Sequence, residues 1–255
     1  IGERGRNVLV EHFSNRYHVS PNNGWLMNQI DQYVYDEIYN SNNGRDVSLI
    51  QYQTYMPQQD PINAQNWEDP DSRILYYGVN ASGQMRIDGS SRGNGLSESI
   101  SQWELDYDMM QFAPFNIQLA PLVFSGNTIQ MSASATALTD LDSAEYSMTF
   151  AITEDNLSLG TNYTSRAVLR KLVPDAAGFR YDRPWSPGQN VIQSASWVYP
   201  FGAVNPANIQ LVVYIQNNAN KDVLQVATTR DLTVYPPTGT VTVDEADLVR
   251  QDLDG

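Results

Sequence analysis

The feature that most constrains this chain is a change in the spacing of its apolar residues near Gln111, because helical and strand periodicities cannot share one element. Before that point Leu26, Ile30, Tyr33, Val34 and Ile38 recur at three- and four-residue steps. This predicts one face of a helix starting near Trp25, after Ser20-Pro21-Asn22-Asn23 and before the Asn40 to Gly44 stop. Asn7 to Phe13, Val47 to Tyr55 and Gln84 to Ile87 read as strands, Asp71 to Tyr77 as a short helix, and Pro57 to Pro70 as an insertion. Leu96 to Met110 reads as a second amphipathic helix, with Ser97 as N-cap and Glu98 and Glu104 on its wet side. After Gln111 the period is two: Ile129, Met131, Ala133, Ala135 and Ala137, then Tyr146, Met148, Phe150 and Ile152, then Ile209, Leu211, Val213 and Ile215. Strands with one dry face, separated by Asn, Gly and Pro loops, predict two antiparallel sheets packed face to face. The expected organisation is an α/β domain over 1–111, a β-sandwich of jelly-roll or immunoglobulin-like type over 112–235, and a linker or further segment over 236–255.

Charge and cysteine usage narrow the function. With 15 Lys+Arg against 29 Asp+Glu the formal charge is −14, which repels nucleic acid and anionic lipid. There is no cysteine, so disulfides, thiolate metal sites and thiol nucleophiles are excluded. No apolar run approaches the ~18 residues of a membrane span, so no integral membrane protein is expected. The opening Ile1-Gly2-Glu3-Arg4 is not a signal sequence, and a leader removed before this numbering is compatible with it. A Tyr-rich, polar and sparsely charged coat suits an exported β-rich protein.

Five separated segments carry a family resemblance. Arg6 to Ser14 (RNVLVEHFS), Asp60-Pro61, and Arg73 with Tyr76-Tyr77-Gly78-Val79 and Ile87-Asp88-Gly89 resemble the twenty-eight-kilodalton outer-membrane protein family of Bacteroidota. So do Arg166 to Pro174 with Gly178, and Leu211 to Gln216 leading to Lys221 to Gln225. The resemblance runs from about Arg6 to Asp231 and implies a thioredoxin-like first domain, a β-sandwich, and an outer-membrane, lipoprotein or cell-surface location. Where thioredoxin-like proteins hold Cys-x-x-Cys at a helix start, this chain has Tyr17-His18-Val19-Ser20-Pro21. Where they place a cis-proline, it has Ser82-Gly83. His18, Ser20, Pro21 and Gly83 therefore mark a degenerate redox position.

Other candidate chemistry is sparse. His12 and His18 are the only histidines and lack metal-ligand spacing, so both read as structural, with Ser20 as a helix cap. Asp69/Asp71, Asp106/Asp108, Asp140/Asp142 and Asp252/Asp254 are paired acids without a calcium-loop Gly and Glu, and read as solvated loop charges. No pair of carboxylates can be singled out for glycoside hydrolysis, which depends on their separation in space. Phe179, Arg180, Tyr181, Arg183 and Trp185 concentrate rings and guanidinium groups in a segment read as a loop. It either binds a partner or glycan, or folds Trp185 back over the end of the sandwich. Asp142-Ser143-Ala144 matches the short O-glycosylation sequon of exported Bacteroidota proteins, as the resemblance implies, and predicts Ser143 in an exposed turn. The functional expectation is a non-enzymatic envelope module without cofactor or metal, whose partners are other surface proteins. Its alternatives are a carbohydrate-binding module and a thiol-disulfide oxidoreductase relative that has lost activity.

Overall fold

A computed structural model describes residues 5–20, 24, 26–40, 47–91, 95–158 and 164–230, with only the backbone at 98. The chain is α+β, with most of its regular structure in two sheets. β1 (Val8–Ser14) and β2 (Val47–Gln53) lie parallel from Val8 opposite Val47 to Ser14 opposite Gln53. A parallel pair needs a crossover, supplied by α1 (Met27–Tyr33), which widens into a π-helical segment at Val34–Asn40. Every residue of β1 and β2 is buried, as in a strand pair covered on both faces. α2 (Glu68–Tyr77) follows the insertion, with Pro70 in its first turn and left-handed Gly78 at its end. β3 (Gln84–Ile87) then pairs antiparallel with β1.

The predicted second amphipathic helix is shorter than its pattern. Ser97–Ser99 forms a 3₁₀ turn, and α3 (Gln102–Met109) begins after Ser101. The Glu104 carboxylate accepts from the Ser101 backbone N–H at 3.0 Å and its hydroxyl at 3.1 Å. The cap is therefore Ser101, and Ser97 is buried for a different purpose.

Beyond residue 111 come β4 (Phe115–Leu119), β5 (Val123–Ser125), β6 (Thr128–Ala137), β7 (Leu141–Glu154), β8 (Val168–Val173) and β9 (Phe179–Trp185). They are followed by β10 (Asn190–Val198), β11 (Ile209–Asn217) and β12 (Val223–Thr228). The smaller sheet has four strands in the order β10-β6-β4, with β5 also on β6. The larger has eight, in the order β12-β11-β7-β8-β2-β1-β3, with β9 on β7. Period-two residues of β4, β6, β7 and β11 form the core between the two sheets.

Grammar changes near 111, yet hydrogen bonding does not stop there. β8 joins β2 in parallel at Gln51 opposite Val168, and the Gln51 N–H donates to the Ala167 carbonyl at 2.8 Å. Strands from both sides of the predicted boundary thus share one sheet. Its far edge also returns to β1: the Asn7 N–H donates to Gln225 Oε1 at 3.0 Å, and the Arg6 guanidinium reaches the Val223 carbonyl. Leu9, Phe13, Ile50 and Tyr52 consequently share a core with Ala151, Val212, Tyr214 and Val226. At Gly89, φ is +83° and a Cβ would lie 1.8 Å from the Lys221 carbonyl oxygen, so only glycine lets this turn seat against the β11–β12 turn.

Three further expectations are corrected. Phe179–Trp185 is strand β9, because the antiparallel register Leu141 opposite Trp185 to Met148 opposite Phe179 satisfies its backbone. Ser143 is exposed, as a glycan requires, but it occupies an irregular step at the start of β7 instead of a turn. Asp69 is not a solvated loop charge: it is buried on α2, 2.9 Å from Lys171 Nζ, and it accepts from the Leu172 N–H at 2.8 Å. Residues 231–255, including the expected linker and Asp252/Asp254, lie outside the described residues.

Candidate functional site

The residues that the resemblance marks as a degenerate redox position lie where β1 ends. Asn15 Oδ1 accepts from the Tyr17 N–H at 2.9 Å, and the His18 N–H donates to the Asn15 carbonyl at 2.9 Å, turning the chain toward α1. The His18 carbonyl then accepts from the Met27 N–H at 3.1 Å. Gly83, at φ +79°, is held by its N–H on the Phe13 carbonyl at 2.7 Å. A Cβ there would come within 2.9 Å of His18 Nε2. His18 and Gly83 are thus face to face at the start of the first helix, Ser20 and Ser82 are buried beside them, and Pro21 lies outside the described residues. The Ser82 hydroxyl has no partner among the described residues.

Behind this position is a polar network that residue spacing did not reveal. Strand alternation puts His12 and Ser14 on the α1 side of β1, with Gln51 beside them on β2. His12 Nε2 lies 2.7 Å from Asp31 Oδ1 and His12 Nδ1 lies 2.7 Å from Ser97 Oγ. Asp31 also accepts from the Ser14 hydroxyl at 2.8 and 2.9 Å and from Gln51 Nε2 at 2.7 Å. Both ring nitrogens of His12 are thereby partnered, Nε2 by the Asp31 carboxylate and Nδ1 by the Ser97 hydroxyl. The order Ser97, His12, Asp31 is that of an acid–base relay. Ser97 is 0% exposed and His12 1%, so no substrate reaches the hydroxyl in this structure. What the network does here is pin α1 and the 3₁₀ turn to the sheet. One sequence signal was available: Asp31 follows Ile30 on the apolar face of α1, where a carboxylate needs partners.

Asp31 and Gln51 also form the floor of a cavity of about 250 Å³, walled by Gln32, Tyr35, Asp36 and Arg166. The Arg166 guanidinium stacks over Tyr35 at 4.6 Å and lies 3.7 Å from Asp36. Burial, and next the charge of Asp155, push the Tyr35 phenol above its ordinary pKa. Amides, carboxylates and a guanidinium around one ring can exchange hydrogen bonds with a small hydroxylated or amide-bearing molecule.

On the opposite face of β1 a buried charge pair lies between the two parts of the chain. Arg73 of α2 donates to Glu11 Oε1 from Nε at 3.0 Å and from Nη2 at 2.6 Å. The Tyr77 hydroxyl donates to Glu11 Oε2 at 2.5 Å, the Tyr52 hydroxyl donates to Glu11 Oε1 at 2.9 Å, and Arg73 Nη1 donates to Gln216 Oε1 of β11 at 3.1 Å. Burial opposes the Arg73 charge, and the Glu11 carboxylate overcomes it, holding the guanidinium pKa above its usual value.

The β9 cluster does not form one patch. Phe179, Tyr181 and Trp185 turn toward the core while Arg180 faces out. Trp185 is 2% exposed, edge-on to Phe115 at 5.2 Å, with the exposed Arg183 guanidinium 4.4 Å above it. Its ring covers the sandwich core and is not available to a ligand.

No protein-family model and no curated protein sequence matches the chain. Among solved structures it is similar to HBP35 of Porphyromonas gingivalis, with TM-score 0.66 and 13% identity over 94% of this chain and 79% of that one. That likeness shows a shared fold over nearly the whole chain. A domain of the outer membrane lipoprotein Omp28 from Porphyromonas gingivalis matches 46% of this chain and 86% of its own, at TM-score 0.32 and 14% identity. A β-glucosidase from Kluyveromyces marxianus matches 45% of this chain and 13% of its own, at TM-score 0.26 and 11% identity.

Proposed function

We propose that this chain is a non-enzymatic binding or structural module of a Bacteroidota cell envelope, presented at the outer membrane or cell surface. The observation that carries the reading is the pairing of His18 with Gly83 at the start of α1, in a β1-α1-β2 unit with β3 antiparallel to β1. In a thioredoxin-like arrangement that is where two cysteines and a cis-proline do the chemistry, and this chain has no cysteine. The scaffold then serves as a surface, in contact with the sandwich through Glu11 and Arg73. The whole-chain fold shared with HBP35 supports the reading, as do the residue resemblances to the outer-membrane family. Among the described residues no helix is long and apolar enough to cross a membrane.

Capture from native envelope tests this directly. The tagged chain is expected to retain one or more surface proteins, while an insulin-reduction assay with dithiothreitol stays at the buffer rate. Turnover above buffer, or an empty capture, refutes the proposal.

A second reading, glycan binding, is favoured by one observation, the ring-and-amide cavity at Gln32, Tyr35 and Arg166. Calorimetric titration with neutral sugars distinguishes it, since heat lost in Gln32→Ala and Arg166→Ala points to the cavity. The exposed Ser143 is also proposed as a glycan acceptor, and the intact mass of native protein against Ser143→Ala decides that point.

A further inference from the structure

We propose that β10 is a self-association edge, through which two copies of this chain join their small sheets into one. β10 ends the four-stranded sheet, bonded to β6 on one side. Among the described residues no backbone hydrogen bond is made from its other side. Edge strands in lasting monomers are usually short, bulged, or guarded by a charge or proline. β10 is nine residues long, regular from Asn190 to Val198 in its pairing with β6, and contains neither.

Two observations specify the occupant. The first is an unfinished core: Val191, Gln193, Ala195 and Trp197 turn inward yet stay only partly covered, while their β6 partners Ala135, Ala133, Met131 and Ile129 are buried. One more strand would close the sandwich over them. The second is charge. None of the four strands of this sheet contains a charged residue, in a chain of net charge −14. Two such acidic molecules repel across most of their surface, and this sheet is where they can approach. Exposed Ile192 at 68% and Val198 at 63% supply apolar area on the outer face. A strand with these properties suits its own copy in antiparallel two-fold pairing centred on Ser194. In that register Val191 faces Trp197 of the second copy, Ile192 faces Ser196, and Asn190 faces Val198.

The absence of cysteine makes the register measurable. At the two-fold centre residue 194 faces itself at a Cα separation of about 4.5–5.5 Å, within the span of a disulfide. Ser194→Cys is therefore expected to become a covalent dimer under mild oxidation at least tenfold faster than Gln118→Cys, an exposed position on β4 at the opposite edge. Sedimentation velocity on the unmodified chain is expected to shift from monomer toward dimer as concentration rises. Ile192→Lys, a surface change, should weaken that dimer at least tenfold while leaving the melting temperature in place. A monomer at every concentration, equal cross-linking at 194 and 118, or a dimer indifferent to Ile192→Lys overturns the proposal.

Discussion

In the eight-stranded sheet and helix α2, which packs on the face turned away from the small sheet, Glu11, Arg73, Asp69, Glu154 and Arg170 are buried and each has an opposite charge within 3.1 Å or less. In the four-stranded sheet, whose inner face packs on β7 and β11 across a separate core, Ala, Ser, Thr, Asn and Gln alternate with apolar residues and no charge appears. The difference follows from what each sheet meets. The central strands of the large sheet are covered by a helix, by the small sheet and by the sheet's own return past β12, so polar atoms there are removed from water and must be paired, while charges stay in water on β9 and at the start of β7. The small sheet has water on its outer face, where short uncharged side chains cost little.

If buried pairing holds the two parts of the chain together, removing one partner is the harshest way to test it. Arg73→Ala strands the Glu11 carboxylate, and two tyrosine hydroxyls alone do not replace a guanidinium. The loss expected is about 3–5 kcal/mol in denaturant unfolding, near the whole stability of many domains. Replacing both partners together with apolar residues is expected to recover much of that loss, because no charge is left buried alone.

The contact between the sheets is tested by Trp185→Ala. Its ring lies against Phe115 of β4 and Tyr181 of β9, so truncation leaves a cavity and is expected to lower stability by about 3 kcal/mol. Partner capture by the folded fraction is expected to remain normal, measured on the same preparation as the melting temperature. Intact stability with lost capture would return the ring to the binding role that the sequence alone allowed.

The smallest effect concerns pH. Burial raises the Glu154 pKa, while the Tyr199 hydroxyl, at 2.9 and 3.0 Å, and Arg170, at 3.1 Å, pull it back down. A carboxyl raised in the folded state binds its proton more tightly there than when unfolded. Its contribution is therefore complete below the unfolded value of about 4.3 and is lost as pH rises through the folded value. Stability of the unmodified chain relative to Glu154→Gln is expected to rise as pH falls from 7 toward 5, followed by melting temperature. The opposite slope would mean that Arg170 dominates and that the pair behaves as an exposed one.

Sequence and structure divide the account along physical lines. Strand or helix identity was legible because it depends on local period and caps: β1, β2, β3, β6, β7 and β11 fall where the sequence places them, and α2 begins three residues early, at Glu68 inside the predicted insertion. Local pattern failed where a distant partner decides. β9 has Asp182, Arg183 and Pro184 in succession, and only its pairing with β7 makes it a strand. Ser97 had the composition of a cap, but His12, 85 residues away in the chain, claims its hydroxyl. The juxtaposition of the His18 and Gly83 loops was implied only by the family resemblance, and a β-α-β unit followed by an antiparallel strand brings those two loops to one end of the sheet.

By itself, the sequence determined that this protein has two structural grammars, no thiol chemistry and a charge that repels polyanions, since these follow from residue counts and local spacing. Only the tertiary structure decided that the two grammars share a sheet, through the single β2–β8 pairing, and that Glu11, His12 and Asp31 are buried with partners. It also decided that four uncharged strands, spread from Phe115 to Val198, gather into one sheet with an open edge. Backbone pairing and burial are set by residues far apart along the chain, and no window on the sequence contains both partners.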